Sequence, residues 1–439
     1  MMMISRNRVM FSYYVVLVGI IWFCIIDNRT IVVHAKEEEE GNERCVNSND
    51  KGGHEEEECH LADNGDSVNH DHGDTVEWIR KNGGFVDIRQ DVRLNDVTNV
   101  NSGYGVFAKE DISKGELLLS VPWHLIIKSP WADVYATSND IEEGSEYDYD
   151  DTEFGYDICG LIDNVAKEMK MGDQSFFAPY VRHLNLQPHG QIPEAYTPQA
   201  KQLLTHIKGN HFYMNYQDNY ITNHITNSCH SFLDTNEEED YEFMIHVAML
   251  ITQRTEDDLM IPYYEIYNHQ NGLQLNTWMV KYWGQSIHMY ARHDIPKGQE
   301  IYNSYNFCNN CSNRIESFDF GTMELFNDYG FIEKYPQRWI LHPNFRFDLN
   351  YNQQNDKFEL SLCPWCQETT TQEQTTIQQF LTTELQRLEN IHTSFKHDKT
   401  IQDYPGILQH EWDLLWEFHQ AFLVAITQGL HAIQETMQD

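Results

Sequence analysis

The chain has 439 residues, of which 41% are hydrophobic and 13% aromatic, and a formal net charge of -38. This length and composition exclude a disordered chain and suit roughly two or three domains. The charge repels nucleic acid and anionic membranes, and it favours a protein partner with a basic segment.

The chain opens as a targeting segment. Arg6 and Arg8 precede the apolar run Val15 to Ile26, and "VVHA", ending at Ala35, supplies small residues for cleavage. Residues 1–35 are expected to be a signal peptide, which puts the protein in the secretory pathway, in the ER lumen or secreted. A retained signal anchor is the rival, and only that form would involve a membrane. Residues 36–74, with two Glu-rich blocks, read as an acidic disordered arm. His70 and His72 fall in that arm and are expected to be solvated, with weak metal binding as the lesser alternative.

Order is expected from residue 75. Glu77 to Gly84 reads as a short helix ended by glycine. Val106 to Ala108 and Glu116 to Val121 read as strands about the turn Ser113-Lys114-Gly115. Between about 129 and 255 the patterns are helical. Leu161, Val165 and Met169 share one helix face, and Phe243, Val247, Leu250 and Ile251 share another. Strand-like runs return at 260–267, 277–282, 286–290 and 300–302. From 337 to 439 a CxxC-containing segment leads into a helical lobe, in which Leu408, Trp412, Leu415, His419, Phe422, Ile426 and Leu430 recur at helical steps. Strands interrupted by a helical insert and followed by helices make an α+β fold, not an alternating doubly wound one.

Three short stretches carry chemistry. Gly103-Tyr104-Gly105 precedes a strand, and its glycines let a backbone approach a ligand closely. Asn268-His269 closes "PYYEIYNH"; an Asn amide offers both donors and an acceptor, so it can read an amine and a carboxylate. Tyr305 ends the run "IPKGQEIYNSY". Each alone also reads as an ordinary turn, cap or core aromatic.

In this order, with "WIRKNGG", "GDQSFFAPYVRHLNLQP" and "MELFNDYGF", they resemble the SET-domain methyltransferases. The resemblance runs from about Trp78 to Pro336 and is narrower with the branch containing the plant Rubisco large-subunit lysine methyltransferase and the actin histidine methyltransferase. It implies a β-rich SET fold over 75–336, S-adenosyl-L-methionine as cofactor and protein-lysine N-methylation. Histidine methylation and a catalytically inactive, SET-like binding or scaffold protein are the alternatives. It further implies that Gly103, Tyr104, Gly105, Asn268 and His269 hold the cofactor, that Tyr305 is catalytic, and that Arg254, Glu265 and Tyr329 form the substrate site. Three positions depart from the family. Asn306 stands where glycine is usual, Glu265 where Asp is usual, and Gln253 where Ser is usual. Asn tolerates positive φ, which would preserve the turn after Tyr305.

The pairs Cys308/Cys311 and Cys363/Cys366 have the internal spacing of a four-cysteine zinc site. Disulfides fit an oxidising compartment equally well. Cys159 and Cys229 read as buried thiols or as one further bridge.

Overall fold

The computed structural model describes residues 66–94, 103–137, 157–209, 221, 225–229, 238–306, 320–342, 345–362, 370–396 and 401–437. The expected signal segment, residues 1–35, lies outside these residues.

Helix α1 spans Asp66–Lys81, so it begins within the stretch 66–74 that the sequence reading gave to the acidic arm. Strands β1 (Phe85–Val86), β2 (Gln90–Leu94), β3 (Tyr104–Ala108) and β4 (Leu117–Pro122) follow, then the short β5 (Ile127–Lys128). Helices fill the middle of the chain: α2 (Pro130–Thr137), α3 (Ile158–Met171), α4 (Ala178–Asn185), α5 (Pro198–Lys208), the single turn α6 (Thr226–Ser228) and α7 (Glu238–Arg254). Helix α3 shows why. The Asp157 carboxylate accepts from the Gly160 N–H at 2.9 Å, capping the start, and Leu161, Val165 and Met169 form part of a buried face. Cys159 at its start is bridged to Cys229, which follows α6, so the further bridge is the form seen.

The chain then returns to strands: β6 (Leu259–Met260), β7 (Thr277–Tyr282) and β8 (Ser286–Ala291). An antiparallel sheet runs in the order β1-β4-β8-β7, with Leu119 opposite Met289 and Val121 opposite Ile287. Ile287, Met289 and Ala291 alternate inward along β8, as a period of two requires. Strands β2 and β3 form a separate antiparallel pair, and β5 pairs with β6.

The expected strand over 260–267 is replaced by an irregular segment. Pro262 has no N–H for a ladder. Tyr263 then takes a left-handed φ of 69°, and Tyr264–Ile266 form a 3-10 turn. The expected strand at 300–302 makes isolated bridges rather than a ladder: Glu300 pairs with Phe107, and Asn303 runs parallel to His269.

Helix α8 (Thr322–Tyr329) leads to a three-stranded antiparallel sheet of β9 (Gln337–His342), β10 (Phe345–Asn352) and β11 (Lys357–Leu362), in the order β11-β10-β9. This sheet was not expected in a helical lobe. Trp339, Phe347 and Leu349 turn inward from it, and Trp339 stacks on Phe422 at 5.6 Å between ring centres. Helices α9 (Thr371–Ile391) and α10 (Gln409–Thr436) close the lobe. The expected stripe on α10 is buried from Trp412 to Leu430, but Leu408, just before the helix, is exposed. Glu411 ties the lobe to the insert: it accepts from the Leu408 N–H at the start of α10 and from the Thr197 N–H and hydroxyl at the start of α5.

Candidate active site

The irregular segment after Pro262 brings Tyr264, Glu265, Tyr267, Asn268 and His269 out in succession, without the strict alternation of a strand. Residues 268–270 then run beside Asn303. The Asn303 N–H donates to the Asn268 carbonyl at 2.9 Å, and the Gln270 N–H donates to the Asn303 carbonyl at 2.9 Å. This crossing sets Tyr305 next to the Asn268-His269 pair.

Tyr305 is held at both ends. Its main-chain N–H donates to His269 Nδ1 at 2.9 Å, and its hydroxyl donates to the Tyr267 carbonyl at 2.9 Å. A main-chain N–H can only donate, so His269 Nδ1 accepts and Nε2 carries the proton. That Nε2 meets the Glu333 carboxylate at 2.9 Å. Glu333 is buried and also accepts from Asn271 Nδ2, the Thr322 hydroxyl and the Arg338 N–H. The His269 side chain is thus a brace for the Tyr305 backbone. Tyr329 lies 4.7 Å from the Tyr305 ring and Phe331 6.2 Å, giving the tyrosine an aromatic surround. Burial raises the Tyr305 phenol well above its ordinary range; Arg254 opposes this and the Glu265 and Glu300 carboxylates add to it. The group is a neutral hydroxyl, not a base.

Asn268 Nδ2 donates to Glu300 Oε1 at 2.7 Å and to the Tyr104 carbonyl at 3.2 Å. Gly105 makes this possible, since a Cβ there would lie 2.4 Å from Glu300 Oε1 and 3.0 Å from Asn268 Nδ2. Gly103 is different: a Cβ there would meet nothing within 4 Å. The Asn268 amide therefore does not offer its donors as the sequence reading supposed, because two acceptors of the protein take them.

A second group surrounds Glu265. Its side chain is fully buried, yet its carboxyl is held below the ordinary range. Burial pushes it up, and the neighbouring His183 and Arg254, with the Tyr180 hydroxyl, together overcome that push. His183 Nε2 lies 3.1 Å from Glu265 Oε1, and the Tyr180 hydroxyl donates to Oε2 at 2.8 Å. Arg254 Nη2 reaches Gln187 Oε1 at 2.5 Å. His72 belongs here too, contrary to its expected place in a solvated arm. Only 6% exposed, it packs 5.2 Å from the Tyr104 ring and 4.8 Å from His183. Helix α1 carries it inward, which the polar composition of 66–74 concealed. Burial and His183 lower its pKa to about 4.

Asn306 is buried and is not among the non-glycine residues with positive φ, which are Asp257, Tyr263 and Asp356 among the described residues. The turn after Tyr305 thus does not need the conformation that the expectation invoked. Glu300, Glu333 and His183 were missed. A Glu amid the apolar and aromatic run around Ile301 was the available signal for Glu300; nothing local marked the other two. Cys308, Cys311, Cys363 and Cys366, the expected zinc or disulfide residues, lie outside the described residues.

Residues 103–306 match the SET domain family. The matched stretch contains Gly105, Glu265, Asn268, Glu300 and Tyr305. No curated protein matches the chain. Similar solved structures include the SET domain of LSMT bound to lysine and AdoHcy, with 13% identity, 85% of this chain and 92% of that chain covered, and a TM-score of 0.45. Rubisco LSMT bound to sinefungin and monomethyllysine gives 14% identity, coverages of 83% and 92%, and a TM-score of 0.43. Rubisco LSMT bound to AdoMet gives 13% identity, the same coverages of 83% and 92%, and a TM-score of 0.43.

Proposed function

We propose that the chain is an S-adenosyl-L-methionine-dependent protein methyltransferase that acts on lysine. One observation carries the reading: inside a matched SET domain, a neutral Tyr305 is pinned at its backbone by His269 and at its hydroxyl by the Tyr267 carbonyl, the residues on either side of Asn268. The residues fit the cofactor. Asn268 presents an oxygen acceptor suited to an ammonium, and Gly105 keeps the backbone there free of a side chain that would displace Asn268 and Glu300. Gly103, Tyr104, Gly105, Asn268 and His269 would hold the cofactor, whose sulfonium supplies the methyl group.

Methyl transfer to an amine needs an aligned, unprotonated nucleophile more than a strong base. Tyr305, Tyr329 and Phe331 supply apolar ring surface that disfavours a charged ammonium and so promotes loss of its proton. The Tyr305 oxygen, with its proton committed to the Tyr267 carbonyl, keeps lone pairs to orient the amine. Glu265, with Arg254 nearby, would receive the substrate segment, and the acidic chain favours a basic one.

Secretory targeting belongs to the same reading. The Cys159–Cys229 bridge supports it, because such bonds persist in oxidising compartments. N-terminal sequencing of the mature protein, with a thiol count under non-reducing conditions, tests this part; an intact residue 1 with free Cys159 and Cys229 would overturn it. Calorimetric titration of S-adenosylmethionine into the wild type and Asn268→Ala tests the cofactor. Binding that the variant loses is expected, and absence of binding by folded wild type sinks the proposal. Mass spectrometry of basic peptides after incubation then reads lysine against histidine.

A further inference from the structure

Asn268 sits among acceptors. Its amide nitrogen is 2.7 Å from a carboxylate oxygen of Glu300 and 3.2 Å from the main-chain carbonyl of Tyr104. Neither of those groups can donate, so the amide is fixed one way round, with both N–H bonds turned to the protein. The Asn268 Oδ1 makes no hydrogen bond among the described residues. It is the polar atom of the amide left to meet a ligand, and it can only accept.

Glu300 is itself held. It is buried, its other oxygen accepts from the Tyr302 hydroxyl at 2.6 Å, and its main-chain carbonyl accepts from Asn276 Nδ2 at 2.8 Å. The Ile301 N–H donates to the Val106 carbonyl at 2.7 Å, which ties this segment to β3 beside Gly105. The carboxylate therefore cannot swing away when the site fills. Gly105 completes the arrangement, since any larger residue would push its Cβ onto Glu300 Oε1.

We infer that Glu300 is a positioning residue that sets the polarity of the Asn268 amide, so that this part of the site selects a ligand bearing a primary ammonium and does not read its carboxylate. The inference rests on the proposed cofactor, whose α-amine Asn268 Oδ1 would accept, and adds Glu300 to it as the group that orients the amide and places a negative charge behind it. The carboxylate of the same ligand must be received elsewhere, because a second anion beside Glu300 would be repelled.

The test compares two ligands by calorimetry on the full mature chain: S-adenosylhomocysteine and its analogue with hydrogen in place of the α-amine. Wild type should favour the amine-bearing ligand. Glu300→Gln keeps the shape but removes the negative charge and offers a donor as well as an acceptor, so only the Tyr104 carbonyl still orients the Asn268 amide. Its affinity for S-adenosylhomocysteine should fall about tenfold or more, while affinity for the des-amino analogue stays within about twofold. Tyr302→Phe, which releases the far oxygen of Glu300, should show the same selectivity at about threefold. It is the second test should Glu300→Gln fail to fold. Equal losses for both ligands would make Glu300 merely structural and overturn the inference, as would no loss for either. A folded wild type that binds neither ligand removes the cofactor reading itself. A wild type that binds both equally leaves that reading standing and removes only this inference.

Discussion

Around Asn268 and His269 the site is built from directed hydrogen bonds, many of them to main-chain atoms: the Tyr305 N–H on His269, the Tyr305 hydroxyl on the Tyr267 carbonyl, the Asn268 amide on the Tyr104 carbonyl. Around Glu265 it is built from side chains that carry or can carry charge: His183, Arg254 and His72, with Tyr180 as a neutral donor. The first kind fixes angles. The second depends on the balance of ionised groups inside a poorly solvated space, so removing one member leaves others uncompensated. On the proposed function this is a division of work, with rigid alignment on one side and charge-based reception of a substrate on the other.

The largest effect expected from breaking that division is on the charged side. Glu265→Ala leaves Arg254 and His183 without their carboxylate and should cost about 3–5 kcal/mol of folding stability, read by urea denaturation. At temperatures where the variant is folded, its affinity for S-adenosylmethionine should equal that of the wild type. If affinity falls in step with stability, the two sides are one cooperative unit.

On the other side, Tyr305→Phe removes one hydroxyl and leaves the ring and the main-chain bond to His269. Turnover should drop by about a hundredfold, near 2.7 kcal/mol of barrier, with cofactor affinity within about twofold. Unchanged turnover in single-turnover assays would take Tyr305 out of the chemistry and leave it as a wall of the site.

The hydrogen-bonded side was legible in the sequence through its motifs, except for Glu300 and Glu333; on the charged side Glu265 and Arg254 were named, and His183 and His72 were not. Asn268, His269, Tyr305 and Tyr329 fall in compact motifs, because alignment by backbone bonds needs neighbours close in the chain or on adjoining strands. Glu333 stands 64 positions from His269, and His183 stands 82 positions before Glu265, a separation read from their numbers. Charge pairs at such separations leave no periodicity. His72 was hidden differently: acidic and polar neighbours made its stretch look solvated, and only helix α1 shows which face turns inward. The β9–β11 sheet escaped because alternation in "RWILH" and "NFRFDLNYN" was read within a lobe already assigned to helices.

His72 gives the smallest and most specific test of the comparison. Its pKa in the folded chain is lowered to about 4, chiefly by burial and also by His183, while Glu265 opposes the shift. An unfolded histidine titrates near 6.5. Below that value the unfolded chain takes up a proton that the folded chain refuses, so stability falls as pH drops from about 6.5 towards 4. At pH 5 the loss from this one group is about 2 kcal/mol. His246, also 6% exposed and also lowered to about 4, adds a loss of the same sign. His72→Phe keeps the ring contacts with Tyr104 and His183 and removes the titration. Its stability should therefore decline less between pH 7 and pH 5 than that of the wild type, by about 2 kcal/mol, with the remaining slope owed to His246 and the other groups. A variant whose slope matches the wild type would mean that His72 is solvated in solution, and that helix α1 does not seal the charged side of the site.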